Sequence, residues 1–417
     1  MKIQRNKEKP AKKDHSDDSY TISAKEYADL SGSERAQWAP VKAKRERIPK
    51  VCFVAFFFLG LCAIIYLIAC IDPRIADFFN IYIGSASRTI LATITGIIPF
   101  SIAELILILL PFIAFIIIWY MMKYQCETKK SANVALVCIL AVGSILLSSF
   151  ILNLSMGYRG TKLDEKLGIE SEPVSAEELY AASIYISEKI NELEPLIHYN
   201  SENFSIMPYS FSEMNDKLIA AYDRFSEDHY FIKNFKSRLK PVMLSEVMSY
   251  THITGVYTFF TGESNVNVSF PDYTIPFTAA HELAHQRGIA REDEANMIAF
   301  LVCIGSDDPY IQYSAYMNLY EYVSSALYNA DQKLYKKATR TLIIDAYNEM
   351  VAYGNFFRKY ENSVASKVTG TVNDVYLKVQ GTGGRKSYGM VVDLTVAYLK
   401  VNELITTPPS SPEKVEE

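Results

Sequence analysis

Two histidines four residues apart, His281 and His285, enclose Glu282 in the pentapeptide HELAH. On a helix, residues four apart stand one above the other, so both imidazoles can reach a single ion. Glu282 is turned by about 100° around the helix from His281, which sets its carboxylate beside such an ion rather than on it. This arrangement suits Zn2+, which takes imidazole ligands, keeps a position open for water and lowers that water's pKa to about 7. Zn2+ is therefore the expected cofactor, His281 and His285 two expected ligands, and Glu282 the expected general base. A surface helix with two solvated histidines is the plainer alternative. The context argues against it, because a strand-like stretch precedes the motif and Gly288 follows where a helix would end.

Zinc needs a third protein ligand, and Glu292, Asp293 and Glu294 lie just downstream. Gly288 permits a turn, after which residues 289–303 can form a second helix. On that helix Glu292, Ala295, Asn296 and Ala299 share a face, and the alanines allow close packing against the first helix. Glu292 is thereby the favoured ligand, with Asn296 one turn on as a residue that could hydrogen-bond a ligand from behind. Glu294 shares its side with Met297, Ile298 and Leu301, which reads as core. It is the second choice of ligand, or a supporting carboxylate.

Upstream, residues 255–270 are rich in β-branched and aromatic side chains and read as one or two strands. Residues 262–268 (GESNVNV) are placed to act as an edge strand that pairs with a substrate backbone. Asn265 and Asn267 fall on one face of it, either as polar anchors for substrate or as plain sheet residues. An oxyanion donor would be a tyrosine, with Tyr388 or Tyr376 as candidates among 29 tyrosines. Arg287 and Arg291 either pair with the acidic cluster or hold a substrate carboxylate. His198, His229 and His252 lack a ligand partner at useful spacing.

The elements that must position these residues follow from hydropathy. The chain has 417 residues, a formal net charge of −5 and 49% hydrophobic residues, with the apolar content concentrated between residues 51 and 153. The acidic balance argues against a nucleic-acid partner. Residues 51–71 run without a charge, long enough to cross a bilayer as a helix. Residues 96–122, interrupted by Glu104, Pro99 and Pro111, and residues 132–154 form two further candidates. Residues 1–50 are strongly basic, and Lys123, Lys129 and Lys130 lie between the second and third runs. By the positive-inside rule the N-terminus and that loop are cytoplasmic, and everything after the third run lies outside. Residues 76–94 are moderately apolar and read as interfacial or as an extension of the second helix. Glu104 is either functional within the membrane or near its interface.

Residues 155–405 read as a mostly helical extracytoplasmic domain. Helical periodicity marks 175–193, where Ser175 and Glu178 form a capping box, and also 214–225, 310–327 and a long helix over 333–360. Residues 1–50 and 406–417 are expected to be unstructured tails. Cys303 is the only cysteine of the later domain, which excludes a disulfide within it.

HELAH followed by Glu292-Asp-Glu-Ala-Asn296 resembles the gluzincins, zinc metallopeptidases with HExxH and a later ExxA(D/N) helix. Six residues separate His285 from Glu292, and position 291, where a metzincin would place a histidine, is Arg291. The resemblance implies a zincin-like α+β domain with His281, His285 and Glu292 as ligands, Glu282 as base and Asn296 behind them. Over about residues 50–400 the chain also resembles an uncharacterised family of bacterial membrane proteins, domain of unknown function 3810. That likeness is carried by Tyr158-Arg159-Gly160, the stretch before the HELAHQRGIAREDEAN core, and a later YLKVQG…SYG segment. The expectation is a multi-pass cell-membrane protein with three spans and an outward zinc metallopeptidase domain, acting on a peptide or protein substrate and bound to the lipid bilayer. A receptor or signal transducer, and a non-catalytic zinc-stabilised scaffold, are the alternatives.

Overall fold

In this computed structural model, residues 3–5, 21–22, 24–35, 38–40, 48–124, 129–361, 363–382 and 390–406 are described. The tail expected at 406–417 lies outside the described residues except for Thr406. The tail expected to be unstructured over 1–50 is not so where it is described: Ile3–Arg5 pairs antiparallel with both Thr21–Ile22 and Trp38–Pro40, and Ala24–Ala28 and Gly32–Arg35 are short helices. The three apolar runs form helices α1 (Lys50–Ala69), α3 (Ile102–Tyr124) and α4 (Lys129–Asn153), each long and apolar enough to cross a membrane. Their outward side chains are large and apolar, such as Phe57 and Phe115, as a lipid environment requires. Between α1 and α4 the contact is built from small residues: Cys52 and Ala55 pack on Ala141. Small side chains let two membrane helices approach closely where no hydrophobic effect drives them together.

The second run divides differently from the expectation. A helical stretch over residues 73–96, ending in α2 (Ser85–Gly96), stops before Pro99. A new helix then starts at Ile102, where the Ser101 hydroxyl accepts the backbone N–H of Glu104. Pro99 cannot donate to a continuing ladder, and the serine offers a fresh start. Residues 76–94 are thus a separate unit and not an extension of the span.

After the third apolar helix, the described residues are mostly helical around one small sheet. Helices α5 (Ala176–Leu193) and α6 (Phe211–Asp228) both begin with full capping boxes, Ser175/Glu178 and Ser210/Glu213. The sheet holds β1 (Lys240–Pro241), β2 (Gly255–Thr258) and β3 (Glu263–Val266) in the order β1-β3-β2. β3 is parallel to β1 and antiparallel to β2, with Gly255 opposite Val266. The β2–β3 hairpin turns through Gly262, whose φ of 70° is open to glycine at no steric cost. The strand expected at the edge, 262–268, is therefore the middle one, and the free edge belongs to β2.

Helix α7 (Thr274–Gln286) crosses beneath this sheet and is almost wholly buried, with Ala279, Ala280, Leu283 and Ala284 at 0% exposure. Burying Leu283 alone contributes about 2 kcal/mol. Around α7 pack α8 (Glu292–Ile304), α9 (Pro309–Ala330) and α6, whose Tyr222 hydroxyl donates to the Ala280 carbonyl at 2.7 Å. Helices α10 (Ile344–Phe357), α11 (Val364–Val379) and α12 (Val391–Val401) complete the domain. The single helix expected over 333–360 is broken into Gln332–Ala338 and α10. Asn191 causes no kink by itself but holds the break, donating to the Thr341 carbonyl and accepting from the Ile343 N–H.

Polar contacts fasten the sheet to the span ends. The Glu263 carboxylate accepts the N–H groups of Ile102 and Ala103 at the start of α3, where orphan helix donors favour an anion. Glu104 in the same turn accepts from Met243 and Leu244, at 2.9 and 2.8 Å. At the end of α4, Ser149 and Asn153 both donate to the Phe259 carbonyl in the hairpin turn. Of the two readings of Glu104, these contacts place it at a helix end as an anchor.

Candidate metal centre

α7 ends at Gln286 because the next residues tighten into a turn with Gly288 at φ 100°. The Gly288 and Ile289 N–H groups bond back to the His285 and Ala284 carbonyls, which satisfies the last turn of the helix. A side chain on Gly288 would meet Arg88 at 2.5 Å and Asn80 at 2.7 Å, so this position is closed from both directions. Asn80 in turn donates to the Gly288 carbonyl at 2.8 Å. This tight turn is what allows six intervening residues to bring α8 back across α7. Ala295 and Ala299, both at 0% exposure, form the small-residue face of the crossing.

The crossing gathers one ligand atom each from His281, His285 and Glu292, all within 4.8 Å of one another. Glu292 Oε2 stands 3.2 Å from His281 Nε2 and 3.4 Å from His285 Nε2. Ligands about 2.0–2.2 Å from a tetrahedral zinc stand about 3.3–3.6 Å apart, so the donor set fits that ion in kind, and the two carboxylate–imidazole distances are close to that spacing. The Ile289 carbonyl, an acceptor only, takes the His285 Nδ1 proton at 2.7 Å and leaves Nε2 for the cluster. Among the protein groups themselves, the cluster is electrostatically coupled. Burial would raise the Glu292 carboxyl, yet the two imidazoles hold it well below the usual carboxylate range. Burial would lower His285, yet Glu292 raises it to about 9.

Glu282 lies beside the cluster, buried, with its carboxylate against β2. The Tyr257 N–H donates to it, and burial lifts its pKa above the ordinary value despite the neighbouring histidines. Gly255 makes the approach possible: a side chain there would stand 2.5 Å from Glu282 Oε1 and 2.6 Å from its Cγ. Glu282 Oε2 has no protein partner. A buried acceptor left free is costly, so such an atom points to a ligand or water as its partner.

These groups open into a cleft of about 1070 Å3 bounded by β2, α7, α9 and α11 and by the C-terminal end of α4. Tyr322 on α9 and Tyr376 on α11 both line it. Burial pushes each to about 12, with the Glu321 charge adding to it at Tyr322 and the Glu292 charge at Tyr376, so both hydroxyls keep their protons at neutral pH. Asn296, one turn after Glu292, lines the cleft and hydrogen-bonds Tyr322 rather than one of the three cluster residues. Tyr322 escaped the sequence reading because nothing local distinguishes it from the other tyrosines. Glu321, beside it, accepts from Tyr273 at 2.7 Å.

Other expected site residues stand elsewhere. Glu294 accepts from the Leu163 N–H at 3.0 Å and from Arg291 at 2.8 Å, tying α8 to the segment that leaves the membrane. Asn265 and Asn267 are buried in the middle of the sheet region: Asn265 donates to the Val256 carbonyl and Asn267 to Ser249 and the Ile253 carbonyl. Their amides brace β2 and its approach rather than face the cleft, because β3 is central and has no free edge. Arg287 is sandwiched by Tyr222 and Phe235 and bonds Asn234, which occupies its guanidinium. His252 does line the cleft, with its ring bonded to the Tyr360 carbonyl, whereas His229 bonds the Phe225 carbonyl away from it. Tyr388 lies outside the described residues.

Among the curated proteins none matches the chain, and among the solved structures none does. One family profile matches residues 80–396, from Asn80 in the helical stretch before α3 through the cleft helices to α12. The chain belongs to the family described as Protein of unknown function (DUF3810).

Proposed function

We propose that the chain is a zinc-dependent peptidase of gluzincin type, with His281, His285 and Glu292 as ligands and Glu282 as the base. The observation that carries this reading is the pairing of a three-donor cluster at zinc spacing with a separate buried carboxylate held against a strand edge. The sheet edge and the two crossed helices are what a zincin-like domain would require. A scaffold needs ligands only, and nothing in such a role calls for the free oxygen of Glu282.

Bound zinc would supply Lewis acidity, acidifying water and polarising a carbonyl. The residues of the chain do the rest. β2 offers a free edge on which an extended peptide can pair. Glu282 takes the proton from the attacking water and passes it to the leaving amine nitrogen; its raised pKa suits both halves of that transfer. Tyr376, protonated and near the cluster, donates to the developing oxyanion. The charge asymmetry around the spans supports a site on the outer face of the cell membrane.

The test uses the full chain purified in detergent. Zinc content is measured by mass spectrometry, and cleavage of a peptide library is compared between wild type and Glu282→Gln. One zinc per chain with cleavage only in the wild type is expected. Zinc-loaded wild type that leaves the library and membrane-protein substrates intact would turn the reading toward a receptor or scaffold.

A further inference from the structure

Helix α11 exposes five valines, Val364, Val368, Val372, Val375 and Val379, each more than half accessible. Their spacing of three and four residues gathers them into an arc of about 80° on one side of the helix. The other side is occupied differently: Leu377 is buried, and Thr369, Asn373 and Tyr376 line the cleft, whose lining reaches Val372 at the border of the stripe. An all-valine stripe facing water has no folding rationale, since β-branched residues lower helix propensity and an exposed apolar row invites association.

Both ends of α11 are fastened where the membrane helices end. At the C-terminal end, the Tyr376 ring lies 6.2 Å from Phe150 in the last turns of α4, and Gln380 accepts from Ser155 just beyond it. At the N-terminal end, Ser363 bonds the Tyr250 carbonyl and the neighbouring Lys359 pairs with Glu246. That 243–250 segment is in turn held to the first turn of α3 through Glu104. The start of α3 and the end of α4 lie on the same membrane face if both cross it, so α11 bridges two points at that surface. Met243, Leu244 and Val247, exposed beside the start of α3, extend the apolar surface. Lys367 and Lys378 border the stripe on α11, Lys378 paired with Asp374 at 2.6 Å, at positions from which long cationic side chains can reach lipid headgroups.

We infer that α11 lies in the headgroup–acyl boundary of the bilayer with its valine face down, forming the membrane-side wall of the cleft. Lipid is the occupant because the stripe continues the surface of the span ends. The substrate class follows, and this step rests on the peptidase reading: a polypeptide tethered to the membrane. One helix diameter of about 10 Å separates the bilayer from the metal cluster. At about 3.3 Å per extended residue, the scissile bond falls within roughly three to five residues of the anchor.

Two readouts test this on the full chain in phosphatidylcholine vesicles. Tryptophan is placed by Val368→Trp or Val375→Trp in a Trp38→Phe/Trp119→Phe background, with Leu196→Trp, exposed just after α5, as the comparison. Replacing the lipid by its brominated form should quench the two α11 probes and spare Leu196→Trp. Equal quenching at all three, or none at the α11 probes, overturns the seating; cross-linking between copies through Val375→Cys would assign the stripe to self-association instead. Peptides carrying a lipid anchor and spacers of increasing length are then compared with the same peptides free in solution. Preferential cleavage close to the anchor supports the substrate class, and preference for the free peptides overturns it. Quenching without cleavage of either form would leave α11 in the interface and overturn the peptidase reading alone.

Discussion

Gly255→Ala separates the base from the metal. The added methyl would stand 2.5 Å from Glu282 Oε1, 2.6 Å from Cγ and 2.8 Å from Cδ, where ordinary contact begins at 3.4 Å. Relief requires the carboxylate to retreat by about 1 Å, and the atoms that must move belong to a side chain, so the backbone can stay in place. The retreat breaks the hydrogen bond from the Tyr257 N–H, at a cost of about 1 kcal/mol in stability. A misplacement of about 1 Å at a reacting group lowers the rate by about a hundredfold. The three ligands sit on the other side of Glu282 and are not touched, so zinc content should remain at the wild-type level. The assay is kcat on a peptide cleaved by the wild type, with zinc per chain and melting temperature measured on the same sample. Glu282→Gln should lose about 10²- to 10⁴-fold, and adding Gly255→Ala to it should cost little more, since both act through one group. Unchanged kcat in a folded, zinc-loaded Gly255→Ala variant would refute the placement of the base. Loss of zinc together with activity would refute the separation of base from ligands.

Glu292→Gln should weaken zinc binding by more than about a hundredfold, beyond what loss of a supporting contact costs, whereas Glu294→Gln should keep the metal and lose about 2 kcal/mol of stability as the Leu163 and Arg291 contacts go. Metal titration and thermal melts of the two variants distinguish the roles, and zinc loss in Glu294→Gln alone would reverse the assignment. Gly288→Ala forces a methyl into Arg88 and Asn80 at a φ of 100°, so a loss of about 3 kcal/mol or failure to fold is expected in melts, and wild-type stability would refute the closed turn. Burial first, and then the Glu349 charge, push Glu321 up to about 7 from 4.5. The folded state therefore holds this proton more tightly than the unfolded chain does: the stabilisation is fully present below about pH 4.5 and is lost as pH rises through about 7. Glu321→Gln should remove that dependence and gain about 2 kcal/mol over wild type at pH 8 relative to pH 5, read from melts at both values; parallel pH dependence in the two proteins would refute the assignment.

The local features were legible because their causes are local. HELAH puts two imidazoles on one helix face through helical spacing alone. Gly288 marks a turn that only glycine makes without strain. Capping at Ser175 and Glu178, and apolar runs of bilayer length, need no knowledge of what lies across the fold. The same holds for Glu292 and the alanine face behind it, since one short connection sets how α8 can return across α7.

Strand order, and with it the free edge, was decided by partners far along the chain. Residues 262–268 have the composition of an edge strand, but pairing with both Lys240–Pro241 and Gly255–Thr258 puts that strand in the middle and turns Asn265 and Asn267 inward. Nothing near Gly255 announces that it must yield space to Glu282, because that requirement comes from a helix packed against it. Tyr322, Tyr376 and the valine wall of α11 join the cleft only when α9 and α11 dock beside the spans. The sequence by itself determined the metal helix, its turn and three membrane-length helices, whose physics lies within a few residues of each. Only the tertiary structure decided which strand edge, tyrosines and valine-bearing helix the HELAH helix faces, because those depend on contacts between residues from about ten to more than two hundred positions apart.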